Sequence, residues 1–301
     1  MSDLLKRLNE LCEVETGRSF REMTTLRIGG PIDYVCYPEN DLALDGLIQL
    51  LKKENIPYKF LGKGSDLLCS DKPYHGAVIR LDRYLDEYYF AQDSILAQAG
   101  CSIISLAVNA MKQGLSGLEF ASGIPGTIGG AIFMNAGAYK SSISEILTRV
   151  LVYKDGNFVW MSNEECMFGY RSSIFQAHRD WIILAAEFYM EYKSVDKISE
   201  RMESRRERRM QSQPLDKPSC GSVFRNPEGQ NAWALVEGIG YRGKCIGNAQ
   251  VSEKHCNFIV NLGNAKADDY LALVKEIQQK VKEEYNIELH TEMERFNWDE
   301  Q

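Results

Sequence analysis

The stretch GLSGLEFASGIPGTIGGAIFMNAGAY, residues 114–139, decides the reading of the whole chain. Gly123, Gly126, Gly129, Gly130 and Gly137 crowd into residues 123–137, and Glu119 is the one charged residue of the stretch. A backbone without Cβ atoms can turn its amides inward on a ligand, as loops that wrap phosphate do. Composition argues against a linker, because linkers are polar and poor in apolar residues, and leaves a tightly packed loop without a ligand as the other reading of this run taken alone. Here Leu118, Phe120, Ile124, Ile128, Ile132, Phe133 and Met134 supply side chains for burial.

The elements around it read as a mixed α+β protein. Ser102 is placed to cap a helix that Gly114 stops, so the glycine run leaves a helix. Upstream, Asn40 or Asp41 caps a helix carrying Leu44, Leu47, Ile48 and Leu51 at core-facing spacing. A strand at 58–61 then enters a second glycine loop, Gly62-Lys63-Gly64-Ser65-Asp66. It fits neither the dinucleotide fingerprint, which would need glycine at Leu67, nor the P-loop, so a Rossmann domain and a P-loop NTPase are both unsupported. Downstream, Asp155-Gly156 signals a hairpin, and Ser162 with Glu165 a capping box. An arginine- and glutamate-rich helix, read as solvated and ion-paired, runs into the polar, proline-bearing segment QSQPLDKPS at 211–219. This places a domain boundary near residue 205. A last amphipathic helix spans about 267–285, with Tyr270, Val274, Ile277 and Val281 on its core face.

At 301 residues the chain exceeds one average domain. A formal charge of −7 argues against general nucleic-acid binding while leaving a small anionic substrate open. The apolar run 181–186 is too short to cross a bilayer, and the first fifteen residues lack a signal-peptide core, so no membrane insertion and a cytoplasmic address are expected. The eight cysteines have no zinc spacing; no metal is expected, and Cys220 reads as packing.

Six blocks occur in one order: TTLRIGGP (24–31), LGKGSDLL (61–68), GLEFASGIPGTIGGAIFMNAGAY (117–139), FGYRSSIF (168–175), PSCGSVFRNP (218–227) and VSEKHCNFIVN (251–261). Together they resemble the UDP-N-acetylenolpyruvoylglucosamine reductase (MurB) family over nearly the whole chain, in its shorter type that lacks an extra tyrosine-bearing loop. The resemblance implies a two-lobed FAD-binding fold of the vanillyl-alcohol-oxidase (PCMH) type at 1–204, with lobes of about 1–78 and 79–204. A C-terminal α+β substrate-binding domain follows at 205–301, its last residues returning to the first lobe.

The cofactor loops would be Gly62, Lys63, Gly64, Ser65 and Asp66, and Gly123, Pro125, Gly126, Thr127, Gly129 and Gly130. NADPH would reduce FAD, hydride would pass from flavin N5 to the enolpyruvyl group of a UDP-sugar, and Ser222 would deliver the proton. Arg171 would bind the substrate carboxylate and Glu292 would complete the catalytic set. Tyr170, Arg225 and Asn226 would touch the substrate's nucleotide or phosphates, and a monomer is favoured. A flavin oxidase of the same fold and an inactive nucleotide-binding homologue are the alternatives.

Three positions depart from the family pattern. Asp66 replaces an asparagine in the first cradle, Lys140 replaces a glycine, and Glu294 stands where arginine is expected, so Glu292 and Glu294 compete for one role.

Overall fold

The computed structural model describes residues 3–298. The chain divides into two compact units: one holds the segment ending at Thr16, Tyr34–Lys63 and Gly76–Arg208, and the other holds Gly17–Asp33, Gly64–His75 and the chain from Arg209. The two units part at 208/209, and the early segments 17–33 and 64–75 group with the late chain, for a reason visible in the burial. Leu26, Ile28 and Leu68 are fully buried in one apolar cluster with Val223, Phe224 and Tyr270, so these short segments complete the second unit's core.

In the first unit, Glu13–Glu15 pairs antiparallel with Val35–Tyr37, and Tyr58–Phe60 pairs parallel with Ala77–Ile79. The helix Asp41–Lys53 covers the interval between them in sequence; Asn40 accepts the Ala43 amide as its cap. A five-stranded antiparallel sheet is ordered Asn157–Ser162, Leu147–Lys154, Ile182–Tyr189, Ser94–Gln98, Tyr88–Ala91. Its first hairpin turns at Asp155 and Gly156, both left-handed, as the sequence anticipates. The helix Ile103–Lys112 is capped by Ser102, whose hydroxyl accepts from Ser105, and stops before left-handed Gly114.

One feature of the central stretch departs from the sequence reading. Gly129 and Gly130 lie within a short helix, Ile128–Phe133, begun by Thr127, whose hydroxyl accepts the Gly130 amide at 3.3 Å. Glycine disfavours helix interiors, but Gly129 donates its amide to Ala99 and leaves only 3.1 Å between a Cβ and the Ala99 methyl. Close packing therefore overrides propensity here.

The second unit has a small antiparallel sheet, Cys245–Ile246, Ala249–Val251 and Ile259–Asn261, and the helices Ala232–Gly238 and Ala267–Tyr285. The long helix buries the anticipated Tyr270, Val274, Ile277 and Val281. Glu294–Phe296 runs parallel to Leu67–Cys69 within this unit. Buried Asn261 ties the early loop down, giving its amide to the Leu26 carbonyl at 3.0 Å and to Arg27 at 3.2 Å. No helix among the described residues is long and apolar enough to cross a membrane.

Candidate active site

In the first unit, Gly62 meets the central glycine stretch. A Cβ on Gly62 would stand 2.6 Å from the Thr127 hydroxyl, so only glycine permits this approach. Buried Thr127 and its neighbour Gly126 have backbone amides with no acceptor among the described residues. A Cβ on Gly126 would meet nothing within 4 Å, which leaves that backbone open to a ligand. The amide of Lys63 likewise finds no acceptor among the described residues, whereas Gly64 and Ser65 fall in the second unit. Unpaired amides on adjoining loops are the donor set that a diphosphate requires, so these residues fit the cofactor's anionic bridge.

Other members of the expected set are committed elsewhere. The Gly129 and Gly130 amides serve Ala99 and Thr127, and the Lys63 ammonium pairs with Asp82 at 2.8 Å. Pro125 is exposed and brings no N–H, and Gly123 lies in the turn before it. Asp66 belongs to the second unit, where its carbonyl accepts the Glu294 amide at 2.9 Å.

Arg171 lies in the tight turn Gly169–Ser172, with a left-handed φ of 52°. Such strain in a side chain with a Cβ persists where the surroundings over-determine it. The surroundings here are buried Asn135, which donates to the Gly169 carbonyl at 2.8 Å and accepts from the Ser144 amide at 3.1 Å. Arg171 itself gives Nη2 to the Gly137 carbonyl at 2.7 Å, and its guanidinium lies 5.1 Å from the Tyr170 ring. Tyr170 is 56% exposed. Asn135 was missed by sequence reasoning, although it stands inside the quoted block as the N of MNAGAY.

In the second unit, Ser222 follows left-handed Gly221 on a turn anchored at both ends. Ser219 bridges to Val260, and the Val223 amide donates to the Asn257 carbonyl at 2.8 Å. The Asn257 side chain then closes on Phe224 from both sides, accepting its amide at 2.9 Å and donating to its carbonyl at 2.8 Å. Asn257 is a second positioning residue the sequence reading did not single out.

Glu292 donates its amide to the Val223 carbonyl at 2.8 Å, flanked by the Phe224–Thr291 bridge. Backbone pairing thus sets Glu292, not Glu294, beside the Ser222 turn, because Glu294 is tied to Asp66 and Leu67. Arg225 has a buried Nε without a partner, and Asn226 spends its carbonyl oxygen on the Ala232 amide at 3.0 Å. Burial pushes the Cys220 thiol up to about 12; the Tyr270 hydroxyl 3.1 Å away pulls against this, and the Asp66 charge adds to it. A thiol so placed is protonated and packs, as expected.

Residues 32–162 match the model of an FAD binding domain, and residues 213–296 match that of the UDP-N-acetylenolpyruvoylglucosamine reductase C-terminal domain. These matches and the loops above define a flavoprotein oxidoreductase, with an FAD-binding fold of the vanillyl-alcohol-oxidase type and a separate C-terminal α+β domain. UDP-N-acetylenolpyruvoylglucosamine reductase from Bacillus pumilus is 41% identical over 292 residues, covering 95% of this chain and 96% of that one. The Bacillus licheniformis protein of the same name is 42% identical over 295 residues, covering 96% and 97%. The crystal structure of the Thermus caldophilus enzyme superposes with a TM-score of 0.81 at 34% identity, covering 95% of this chain and 98% of that one. The chain belongs to the UDP-N-acetylenolpyruvoylglucosamine reductase family.

Proposed function

We propose that this chain reduces the enolpyruvyl group of UDP-N-acetylglucosamine enolpyruvate to give UDP-N-acetylmuramate, a step of peptidoglycan precursor synthesis. It does so as an FAD enzyme with NADPH as reductant. Bound FAD, once reduced by NADPH, supplies the hydride. The observation that carries the reading is the 2.8 Å bond from the Glu292 amide to the Val223 carbonyl, which sets a carboxylate-bearing segment beside the serine turn.

Ser222 gives the proton to the carbon that does not receive hydride. Its hydroxyl is half-buried and makes no side-chain hydrogen bond among the described residues, so it is available to a substrate. A hydroxyl is a weak acid, so the proton must be resupplied, and Glu292 is the group beside it able to take part. Arg171 binds the substrate carboxylate with its forked donors and stabilises the negative charge that spreads onto it as hydride arrives. Arg225, with its unpartnered Nε, and Asn226, with its amide nitrogen, hold the phosphates or nucleotide. The amides of Lys63, Gly126 and Thr127 hold the diphosphate of FAD. Eight cysteines outside any disulfide, seven of them buried, suit a reducing compartment such as the cytoplasm.

Anaerobic stopped-flow absorbance at the oxidised-flavin band tests this. NADPH bleaches the band and the enolpyruvyl substrate restores it. In Ser222→Ala the bleaching keeps its rate, while recovery slows by about 10²- to 10⁴-fold, the contribution of a general acid. Equal loss in both phases makes Ser222 structural. Bleaching of the unaltered protein without substrate-driven recovery removes the substrate assignment.

A further inference from the structure

The hairpin that carries Gly137 is fastened to the arginine-rich helix Val195–Ser212 through the side chain at its tip. Tyr139 and Lys140 are both left-handed, with φ of 56° and 63°, and turn Gly137–Ala138 back onto Ser141–Ser142. The Tyr139 hydroxyl donates to the Arg205 carbonyl at 2.9 Å. The guanidinium groups of Arg205 and Arg208 lie 5.0 and 6.0 Å from the centre of its ring. Below the tip the two strands are in close contact, since a Cβ on Gly137 would stand 2.5 Å from the Ser141 carbonyl oxygen. The Gly137 carbonyl, in turn, accepts from Arg171.

We infer that Tyr139 is a positioning residue for Arg171. A guanidinium is planar, so one fixed N–H···O bond sets the plane in which its remaining donors lie. The acceptor of that bond is a main-chain carbonyl on a two-residue hairpin, and so small a hairpin has little order of its own. By tying the tip to the helix, Tyr139 holds the Gly137 carbonyl where it orients the guanidinium toward a carboxylate. Charge on the helix assists, because two cations against the ring make it costly to leave. The inference rests on the assignment of Arg171 to the substrate carboxylate.

The test is equilibrium binding to the oxidised, FAD-loaded protein by calorimetry, where no turnover occurs. The ligands are UDP-N-acetylglucosamine enolpyruvate, which has the carboxylate, and UDP-N-acetylglucosamine, which lacks it. Tyr139→Phe keeps the ring and loses the hydroxyl. It is expected to raise the Kd of the enolpyruvyl ligand about two- to tenfold, the worth of one neutral hydrogen bond, with the Kd of the other ligand unchanged. Tyr139→Leu, which also loses the ring, is expected to raise it further. In an Arg171→Ala background, Tyr139→Phe is expected to add nothing.

Equal weakening of both ligands, no weakening of either, or the same penalty in the Arg171→Ala background overturns the positioning role while leaving the arginine assignment standing. Arg171→Ala that binds the enolpyruvyl ligand as tightly as the unaltered protein overturns the arginine assignment and the inference with it.

Discussion

Replacing Gly126 by alanine separates a cradle from a packed loop. The new methyl would have no heavy atom of the chain within 4 Å, and the position does not need a left-handed backbone. The cofactor-free protein is therefore expected to be as stable as the unaltered one, or firmer by about 0.4–1 kcal/mol, because alanine restricts the unfolded chain. Cofactor affinity is expected to move the other way. The methyl projects beside the unpaired amides of Gly126 and Thr127, where an anionic diphosphate would have to approach to hydrogen-bond distance. Losing one charge-assisted hydrogen bond costs about 1.5–3 kcal/mol, or roughly ten- to a hundredfold in Kd. The assay is titration of FAD into stripped protein, followed by quenching of flavin fluorescence, with a thermal melt of the stripped protein beside it. Unchanged affinity at unchanged stability would refute the argument that these amides hold the cofactor. Lost stability would refute the openness of the position. Gly62→Ala is the contrast: its methyl would collide with the Thr127 hydroxyl, so stability of the stripped protein falls as well.

Glu119, only 5% exposed, gives a pH signature. Burial alone would raise its carboxyl, but the Ser116 hydroxyl, the Glu119 and Gly117 amides and the Arg201 charge hold it below the usual carboxylate range. A folded value below the unfolded one means the stabilisation is complete above the unfolded value of about 4.3 and is lost as pH falls through the folded value. Glu119→Gln should thus be less stable by about 2 kcal/mol at pH 7, with the difference from the unaltered protein shrinking in acid, as read by urea unfolding at each pH. Lys140→Gly relieves a left-handed lysine and should gain up to about 1 kcal/mol, since glycine takes φ of this sign freely; a loss of stability would show that the lysine side chain is needed. Among the eight cysteines, exposed Cys245 should react first with a disulfide reagent at neutral pH, and Cys220 only on unfolding. Mass spectrometry of the first labelled peptide decides this.

Local signals in the sequence were legible where a residue acts on its own neighbours. Ser102 and Asn40 cap as their types require, Asp155-Gly156 turns a hairpin, and Ser162 and Glu165 exchange the two bonds of a capping box at 3.3 and 2.7 Å. What the sequence could not yield was pairing at long range. Leu26, Ile28 and Leu68 look like core residues in any reading, but nothing local states whose core they join. The surroundings of Glu292 and Glu294 were equally out of reach: two residues apart in sequence, they differ in backbone partners, Val223 for one and Asp66 for the other. The arginine-rich helix was read as solvated because its charges alternate, yet Arg201 reaches buried Glu119 and Arg205 and Arg208 flank Tyr139. Asn135 was passed over because an asparagine in a glycine-rich block resembles a turn residue, and Asn257 because nothing local in VSEKHCNFIVN marks it; each bridges two separate stretches of chain.

The second unit's core draws on residues near 26 and near 68 and then on residues from 220 to 293. During synthesis these early leucines and isoleucine leave the ribosome well over a hundred residues before their partners, and the strand at 67–69 waits longer still for 294–296. At about 5–20 residues per second the wait is on the order of ten seconds or more, with apolar surface uncovered throughout. Nascent chains halted before residue 290 should therefore engage a holding chaperone, while the first unit's five-stranded sheet, finished by Tyr189, is free to form ahead of them.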